Sequence, residues 1–327
     1  MTRWFNPSSL HFSSSSWNHS PFRTKKHGPS SRHRQVQHYR FLYELARGST
    51  CIVYLALDIK SKKLYAIKEM NKTRLQRQLC VDWLQARHPK QQEQRQTDGS
   101  KRRRIDAEPP ALTHCTESDL LQSLDHPHLV EWIDYFEDAH NMYLVTEWVN
   151  GTVLVDLHHH EAKPVAASQW HSIFTQLVAL LDYLHTKDII HGDIKPDNIL
   201  LTKDYQIKLI DFGSAHAKDG PQRHHTPAFS PPDSPSASRP ATGDIWSLGM
   251  TLYCMVYGKL PYSPTAPIHQ QIATLTTIPH DNTAVDPRLC HLIDQMLTLS
   301  ASDRITLDQI KQHPWFLDGA CAASPIP

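Results

Sequence analysis

Four polar side chains stand at fixed spacing near the middle of this 327-residue chain. Asp193, Lys195 and Asn198 lie in HGDIKPDNILL, and Asp211 follows in IKLIDFG. Phosphoryl transfer from ATP needs a carboxylate beside the attacking hydroxyl, oxygen ligands for Mg²⁺ and positive charge over the moving phosphoryl. Asp193 suits the first task, Asn198 and Asp211 the second, and Lys195 the third. The two motifs, separated by a short hairpin, therefore predict phosphoryl transfer with ATP and Mg²⁺.

Strand patterns precede these motifs. Residues 39–78 alternate apolar and polar side chains, which predicts a strand-rich sheet. Residues 111–124 have leucines at helical spacing, and MYLVTEW at 142–148 predicts a buried strand. Helical patterns dominate from there on: one face of residues 170–184 is apolar, and residues 243–258 are apolar on nearly every side.

This order predicts an α+β fold with two lobes. The smaller, β-rich lobe covers residues 39–149 and the larger, α-helical lobe residues 150–316. A short tail, residues 317–327, follows.

Two stretches are basic although the formal net charge is only +1. Residues 1–43 hold seven Lys or Arg and no acid, and residues 72–104 hold ten against three acids. We interpret residues 1–38 as a disordered, Ser-rich tail rather than a mitochondrial presequence, because prolines interrupt any helix there. Residues 79–109 read as a disordered, solvated insertion. For residues 73–88 a surface turn is favoured over a partner-binding helix.

The cysteines and the remaining charged motifs point to no further site. Six cysteines occur without a C-x-x-C pair, which favours a reducing compartment over disulfides or zinc. We expect a cytoplasmic protein, with the nucleus as the alternative because of KRRR at 101–104. The histidines of LHHHEAK (158–160) are interpreted as a solvated loop rather than a metal patch. No apolar run could span a bilayer, so we expect no membrane partner. We expect no nucleic-acid partner either, because four basic residues in a linker rarely form a nucleic-acid patch.

Further motifs occur in a characteristic order: YAIKE (65–69), TPAFSPPD (226–233), DIWSLG (244–249), SDRIT (302–306) and HPWF (313–316). With these, the chain resembles the eukaryotic protein kinase superfamily from about residue 40 to residue 316. The resemblance implies a bilobal kinase fold, ATP and Mg²⁺ as cofactors and a protein substrate. In DIWSLG, Asp244 resembles the aspartate that braces the catalytic loop.

The resemblance also implies roles for individual residues. Lys68 would bind phosphate and pair with Glu117, and Thr226 would contact Asp193 and Lys195. The adenine pocket would be formed by Ala66 as its floor, Thr146 as gatekeeper, and Glu147 and Val149 as the hinge. The glycine-rich loop would comprise Ala46, Gly48, Cys51 and Val53.

Finer details resemble one branch of the superfamily. YAIKEMNKTRLQRQ, the insertion after it, VNGTV, TPAF and GMTLYCMVYGKLPY are similar to the calcium/calmodulin-dependent protein kinase kinases and their fungal relatives. That branch implies a substrate Thr on the activation loop of another kinase.

Residues beyond Phe316 contain no basic residue and no long apolar period, so we expect activity independent of calcium-calmodulin. Kinase assays with and without calcium-calmodulin check this expectation.

Three replacements depart from the family pattern. The glycine-rich loop reads ARGSTCIV, with Ala46 and Cys51 in place of two glycines, so added Cβ atoms could crowd the phosphates. PPD replaces A-P-E, so Asp233 would have to reach Arg304 with one methylene fewer. Gly192 replaces the Arg that precedes the catalytic Asp.

These replacements leave two alternatives to an active protein kinase. A pseudokinase would bind partners without catalysis. Against this, Lys68, Glu117 and the four polar residues of the two motifs are all retained. A small-molecule kinase shares H-G-D-x-x-x-x-N, but Lys195, TPAF, DIWSLG and HPWF belong to protein kinases.

Overall fold

The computed structural model describes residues 34–48, 50–87, 115–157, 165–218, 220, 226–232, 241–263, 268–274, 278–280 and 285–321. Several predictions lie outside these residues. They concern the tail up to residue 33, the insertion from residue 88 to 109, KRRR, the histidines 158–160 and Asp233.

Six antiparallel strands form the sheet of the N-terminal lobe, in the spatial order β1-β2-β3-β4-β6-β5. They are β1 (Gln35–Val36), β2 (Tyr39–Arg47), β3 (Cys51–Asp58), β4 (Leu64–Asn71), β5 (Trp132–Glu137) and β6 (Asn141–Glu147). Their alternation places Ile67 and Tyr143 in the core of one face and Lys68 and Leu144 on the other. The strands predicted at 39–78 are confirmed as far as Asn71, and the buried strand predicted at 142–148 corresponds to β6.

Two helices lie between β4 and β5 along the chain. Helix α1 covers Lys72–Arg87, and α2 covers Thr116–Gln122. The surface turn favoured for residues 73–88 is therefore wrong, and so is the disordered insertion for residues 79–87. The sequence here is polar and strongly basic, so its pattern did not indicate the helix. The helix begins directly after β4, and Leu75 packs against the core.

The C-terminal lobe consists mainly of helices. They are α3 (Ala167–Thr186), α4 (Ala241–Tyr257), α5 (Ile268–Thr274), α6 (Pro287–Met296), α7 (Leu307–Gln312) and α8 (Pro314–Cys321). Short strands complete it: β7 (Gly151–Val153), β8 (Ile189–Ile190), β9 (Ile199–Thr202), β10 (Ile207–Leu209) and β11 (His216–Ala217). Strands β10, β9 and β7 form one small sheet, and β11 pairs with β8. The α+β, bilobal fold is as predicted.

Helices α3 and α4 form the centre of this lobe. The predicted apolar face of α3 is buried from Ile173 to Leu184, and residues 243–256 of α4 are all buried. Gly258 ends α4 with φ +67°, a conformation that favours glycine at a helix end. The catalytic motifs lie on the loops that emerge between α3 and α4, so a rigid apolar centre supports them.

The folded region extends beyond the predicted boundaries at both ends. Strand β1 pairs with β2 at Gln35↔Arg40 and Val36↔Tyr39, although residues 1–38 were predicted as a tail. Helix α8 includes residues 317–321, which were predicted as a tail as well. In both places polar or small residues gain order from a neighbouring element that local sequence patterns do not reveal.

Arg34 links the N-terminal end of the described chain to the sheet. Its guanidinium donates to both oxygens of Glu69 at 2.8 and 2.5 Å and to the Tyr143 hydroxyl at 2.9 Å. It also lies over the Phe41 ring, 5.0 Å from the centroid. Glu69 follows Lys68 on β4 and points to the opposite face, so Arg34 supports the strand that carries Lys68.

Replacing Arg34 by Met should lower the free energy of unfolding by about 1–2 kcal/mol, because a charged hydrogen bond and a cation–π contact are lost. Chemical denaturation measures this change. Arg40→Met, at an exposed arginine on β2, serves as the matched control and should change stability by less than about 0.5 kcal/mol. Equal effects of the two variants would contradict a specific role for Arg34.

Candidate active site

Lys68 lies at the meeting point of the two lobes. Its Nζ contacts Glu117 Oε1 at 2.7 Å and Oε2 at 2.8 Å, and Asp211 Oδ1 at 2.8 Å. Glu117 comes from α2 and Asp211 from the loop after β10, so one ammonium joins three separate segments. The backbone N–H of Phe212 donates to Glu117 Oε1 at 3.3 Å. The structure thus brings together three of the sequence-predicted site residues.

Charge compensation keeps this group ionised. Burial by itself lowers the pKa of Lys68, but the carboxylates of Asp211 and Glu117 outweigh it and raise that pKa well above its usual range. Burial raises the pKa of Asp211, yet Lys68 and the N–H of Gly213 together hold it below its ordinary value. The cleft therefore presents a permanent cation beside a permanent carboxylate, as binding of a polyphosphate and its metal requires.

The catalytic-loop residues form a second cluster about Asp193. Lys195 Nζ contacts Asp193 Oδ2 at 2.7 Å and the Thr226 hydroxyl at 2.6 Å. The Thr226 N–H donates to Asp193 Oδ1 at 3.0 Å. Asn198 Nδ2 donates to the Asp193 carbonyl at 2.8 Å and to Oδ2 at 3.2 Å. Burial raises the pKa of Asp193, but Lys195 and Thr226 lower it overall, so the carboxylate is ionised and fixed in orientation.

Asp244 on α4 holds the loop from below. Its buried carboxylate accepts the N–H groups of His191 at 2.9 Å and of Gly192 at 2.8 Å, and it contacts His185 Nε2 at 3.0 Å. Three donors keep the pKa of Asp244 below its usual value although burial opposes this. The bracing contact implied by the resemblance is therefore present, and His185 is a further partner that sequence reasoning missed.

Gly192 occupies a backbone conformation that suits glycine. Its φ is +76°, and a Cβ there would lie 3.2 Å from the Ser214 carbonyl oxygen and 3.6 Å from the His216 ring. His216 itself is buried and bonded to the Ser214 carbonyl at 3.0 Å. The loss of the family's arginine thus coincides with close packing of the chain after Asp211 onto the catalytic loop, which sequence reasoning did not predict.

The predicted adenine-pocket residues lie on three neighbouring strands, β3, β4 and β6, and on the hinge. Ala66 on β4 lies opposite Thr146 on β6, and Val53 lies opposite Lys68. Val149 is buried just after β6. Glu147 differs from the other pocket residues in its side chain, which forms an ion pair with Lys208: Nζ lies 2.6 Å from Glu147 Oε1. Sequence reasoning had considered only its backbone.

The loop from Ala46 to Cys51 is the predicted phosphate-binding loop. The N–H of Gly48 donates to the Cys51 carbonyl at 2.9 Å, and Ala46 pairs with Val53 in the ladder of β2 and β3. Neither Ala46 nor Cys51 has a positive φ, so the structure gives no sign of backbone strain at the two replaced glycines. A Cβ at Gly48 would lie 3.2 Å from Cys51 Sγ, which places the thiol beneath the loop.

The residues predicted to hold Mg²⁺ suit that ion. The amide nitrogen of Asn198 is bonded to Asp193, so its oxygen is the atom suited to a cation. The Asp211 carboxylate is 42% exposed towards the cleft. No cluster of three His, Cys, Asp or Glu side chains suited to a metal occurs in the described residues.

Arg304 is buried and its guanidinium donates to three backbone carbonyls, those of Thr298, Thr242 and Leu299. It also lies over the Trp246 ring, 5.2 Å from the centroid. Its predicted contact with Asp233 involves a residue outside the described part. The observed bonds already fix α4 to the segment before α7.

Comparison with known proteins agrees with this geometry. The chain matches the protein kinase domain family over residues 39–316. It belongs to that family. Members of the family use ATP and Mg²⁺ and act on proteins.

Three relatives show the range of similarity. The chain is 29% identical over 300 residues to a calcium/calmodulin-dependent protein kinase kinase of Caenorhabditis elegans, covering 86% of this chain and 53% of the relative. It is 28% identical over 322 residues to serine/threonine-protein kinase cds1 of Schizosaccharomyces pombe, covering 89% and 62%. It is 32% identical over 215 residues to sperm motility kinase 2B of Mus musculus, covering 63% and 43%. The matched regions thus span about half of these relatives.

In the described part of the chain, no helix is both long enough and apolar enough to cross a membrane.

The environment of Cys51 generates a prediction about its reactivity. Burial raises the pKa of its thiol, and Lys68 only partly opposes this. Because the thiolate is the reactive form, alkylation should be slow at neutral pH and should accelerate as the pH rises beyond the usual thiol range. Bound MgATP should protect Cys51, as measured by mass spectrometry of labelled peptides.

Cys290 in α6 is the internal control, since it lies in the other lobe and its labelling should not respond to MgATP. Labelling of Cys51 that ignores saturating MgATP would contradict its placement beneath the phosphate loop.

Proposed function

We propose that this chain is an active serine/threonine protein kinase. The observation that carries the proposal is the Asp193 carboxylate, which Lys195, Thr226 and Asn198 hold in the lobe that also supplies Asp211 to Lys68. A decaying site has no physical reason to retain two charge-compensated clusters. One relative is named a serine/threonine-protein kinase and another a protein kinase kinase. This similarity supports serine or threonine as the residue that accepts the phosphate.

The residues have separate tasks in this mechanism. Asp193 accepts a hydrogen bond from the substrate hydroxyl and orients it, and Lys195 supplies positive charge beside the transferred group. Lys68 holds the nucleotide phosphates and is itself fixed by Glu117. Bound Mg²⁺ would be ligated by Asn198 and Asp211 and would neutralise phosphate charge.

The roles proposed at the adenine end of the nucleotide follow from the family resemblance. Thr146 would limit the depth of the pocket and Ala66 would form its floor, with Val53 above. The backbone groups of Glu147 and Val149 would bond the base. Gly48, with Ala46 and Cys51 beside it, would cover the phosphates.

We further propose that the protein substrate is itself a kinase, phosphorylated on its activation loop. The support is the similarity to a calcium/calmodulin-dependent protein kinase kinase, together with the branch-like motifs. Assay with MgATP and a panel of activation-loop peptides and control peptides tests it. Equal phosphorylation of unrelated basic and acidic peptides would contradict this substrate class.

The five described cysteines are all free thiols, which supports a cytoplasmic setting.

Asp193→Asn should lower kcat by about 100-fold or more, because the amide cannot accept the proton of the acceptor hydroxyl. MgATP affinity, measured by nucleotide titration, should change little. The low pKa of Asp193 means that this carboxylate stays ionised from neutral pH down to mildly acidic pH, so it should add no limb to the pH–rate profile there. Turnover by Asp193→Asn equal to that of wild type would show that another group carries the chemistry, or that the chain is a pseudokinase.

The described ends of the activation segment contact the catalytic loop and its surroundings at several points. Strand β11 pairs with β8, the Lys218 N–H donates to the Asp188 carbonyl at 2.8 Å, and Thr226 bonds the catalytic cluster. Between Ser214 and Thr226 the sequence contains no other hydroxyl side chain. We therefore propose that activity does not depend on upstream phosphorylation.

Phosphatase-treated protein should phosphorylate substrate as fast as untreated protein. Thr226→Ala should lose about tenfold or more in kcat, because the hydroxyl bonded to the Lys195 ammonium disappears. Thr226→Ser is the matched control and should retain most activity. A large loss on dephosphorylation, mapped by mass spectrometry to residues 214–230, would overturn this proposal.

A further inference from the structure

Four polar groups meet where the two lobes join, and we call them the hinge cluster. They are the Glu147 carboxylate, the Lys208 ammonium, the Leu129 carbonyl and the Glu131 N–H. Lys208 Nζ contacts Glu147 Oε1 at 2.6 Å and the Leu129 carbonyl at 3.0 Å. Glu147 Oε1 also accepts the Glu131 N–H at 3.0 Å. The carboxylate and the ammonium thus each contact both their ionic partner and the backbone.

The members of the hinge cluster come from three elements. Glu147 is the last residue of β6, Lys208 is central in β10, and residues 129–131 form the connection that enters β5. Backbone bonds run through the same place: the Val130 N–H donates to the Leu209 carbonyl at 3.0 Å, and the Leu209 N–H donates to the His128 carbonyl at 2.9 Å. The cluster therefore fixes the hinge to a strand of the C-terminal lobe.

The same elements carry both ends of the nucleotide site. Thr146 and Val149, on either side of Glu147, lie at the adenine end. Asp211, three residues after Lys208, lies at the metal end and contacts Lys68. A change in the position of β10 relative to the hinge would change the distance between these ends.

We propose that Glu147 and Lys208 are positioning residues for ATP binding. By holding the hinge against β10, they keep the adenine end and Asp211 at the separation that one ATP molecule spans. This inference rests on the proposed function, because it assumes a nucleotide-dependent kinase. Neither side chain touches the nucleotide in this role.

The ion pair alone does not account for this role. Both side chains are about a quarter exposed, 27% for Glu147 and 23% for Lys208, and exposed ion pairs contribute little. The backbone partners make the difference. Without Lys208, the Leu129 carbonyl loses its side-chain donor, and without Glu147 the Glu131 N–H loses its side-chain acceptor.

Lys208→Met and Glu147→Met test the proposal, because methionine removes the ammonium donor at one position and the side-chain acceptor at the other. Each should raise the KM for ATP, and the Kd for MgATP measured by titration, by about three- to tenfold. The KM for peptide and kcat should stay within about twofold. Lys203→Met, at an exposed lysine in the turn between β9 and β10, is the matched control and should resemble wild type. Partial unfolding would instead lower the active fraction, and hence kcat, without changing the KM for ATP.

A charge exchange separates the hinge cluster from a simple ion pair. Glu147→Lys combined with Lys208→Glu restores the opposite charges but turns an ammonium towards the Glu131 N–H and a carboxylate towards the Leu129 carbonyl. We expect the exchanged protein to keep the raised KM for ATP, whereas Lys208→Arg, which preserves the donors, should stay near wild type. Full recovery by the exchange would overturn the proposal.

Direct nucleotide titration keeps this inference distinct from the proposed function. If wild type binds MgATP but phosphorylates no peptide, the proposed function fails, while the Kd values of the variants still test the hinge cluster. If both neutral variants bind MgATP as tightly as wild type, the inference is overturned whatever the activity.

Discussion

The active-site geometry depends on the ion pairs of the Lys68 ammonium with Glu117 and Asp211. A buried cation is stable only when it is paired and hydrogen-bonded, and here two carboxylates from different segments supply the compensation. Glu117 brings α2 against the sheet, and Asp211 brings the loop after β10 beneath it. Removing either carboxylate would leave the cation undercompensated. The spacing between the lobes is therefore an electrostatic requirement as well as a packing result.

A second buried charge performs the corresponding task in the C-terminal lobe. Asp244 is 1% exposed and sits in the first turn of α4, the most deeply buried helix described. Its oxygens accept the N–H groups of His191 and Gly192, which fixes the backbone just before Asp193. The apolar centre of the lobe thus positions the loop that carries Asp193 through one carboxylate. Packing supplies rigidity, and hydrogen bonds convert it into the orientation of a loop.

Gly192 shows how a replacement that looks damaging fits its surroundings. With a positive φ and the Ser214 carbonyl 3.2 Å from a would-be Cβ, the position favours glycine. His216 lies against it, and the pairing of β11 with β8 continues the contact. The activation segment is consequently attached to the catalytic loop by backbone bonds and packing at the position where the family pattern has an arginine.

The sequence alone predicted the α+β class, the bilobal order and the four polar residues of the two central motifs as candidates for the active site. These follow from local patterns: alternation in strands, the apolar faces of α3 and α4, and the short spacing from Asp193 to Asp211. It was wrong where order depends on a distant partner, as in α1 and in β1, whose position depends on pairing with β2 and on Arg34 bonding to Glu69. The φ angles of Ala46 and Cys51, neither of which is positive, and the contact of the Glu147 side chain with Lys208 became visible only in the tertiary structure. The reason is physical: φ angles and contacts between residues 61 positions apart arise from packing, which no local pattern records.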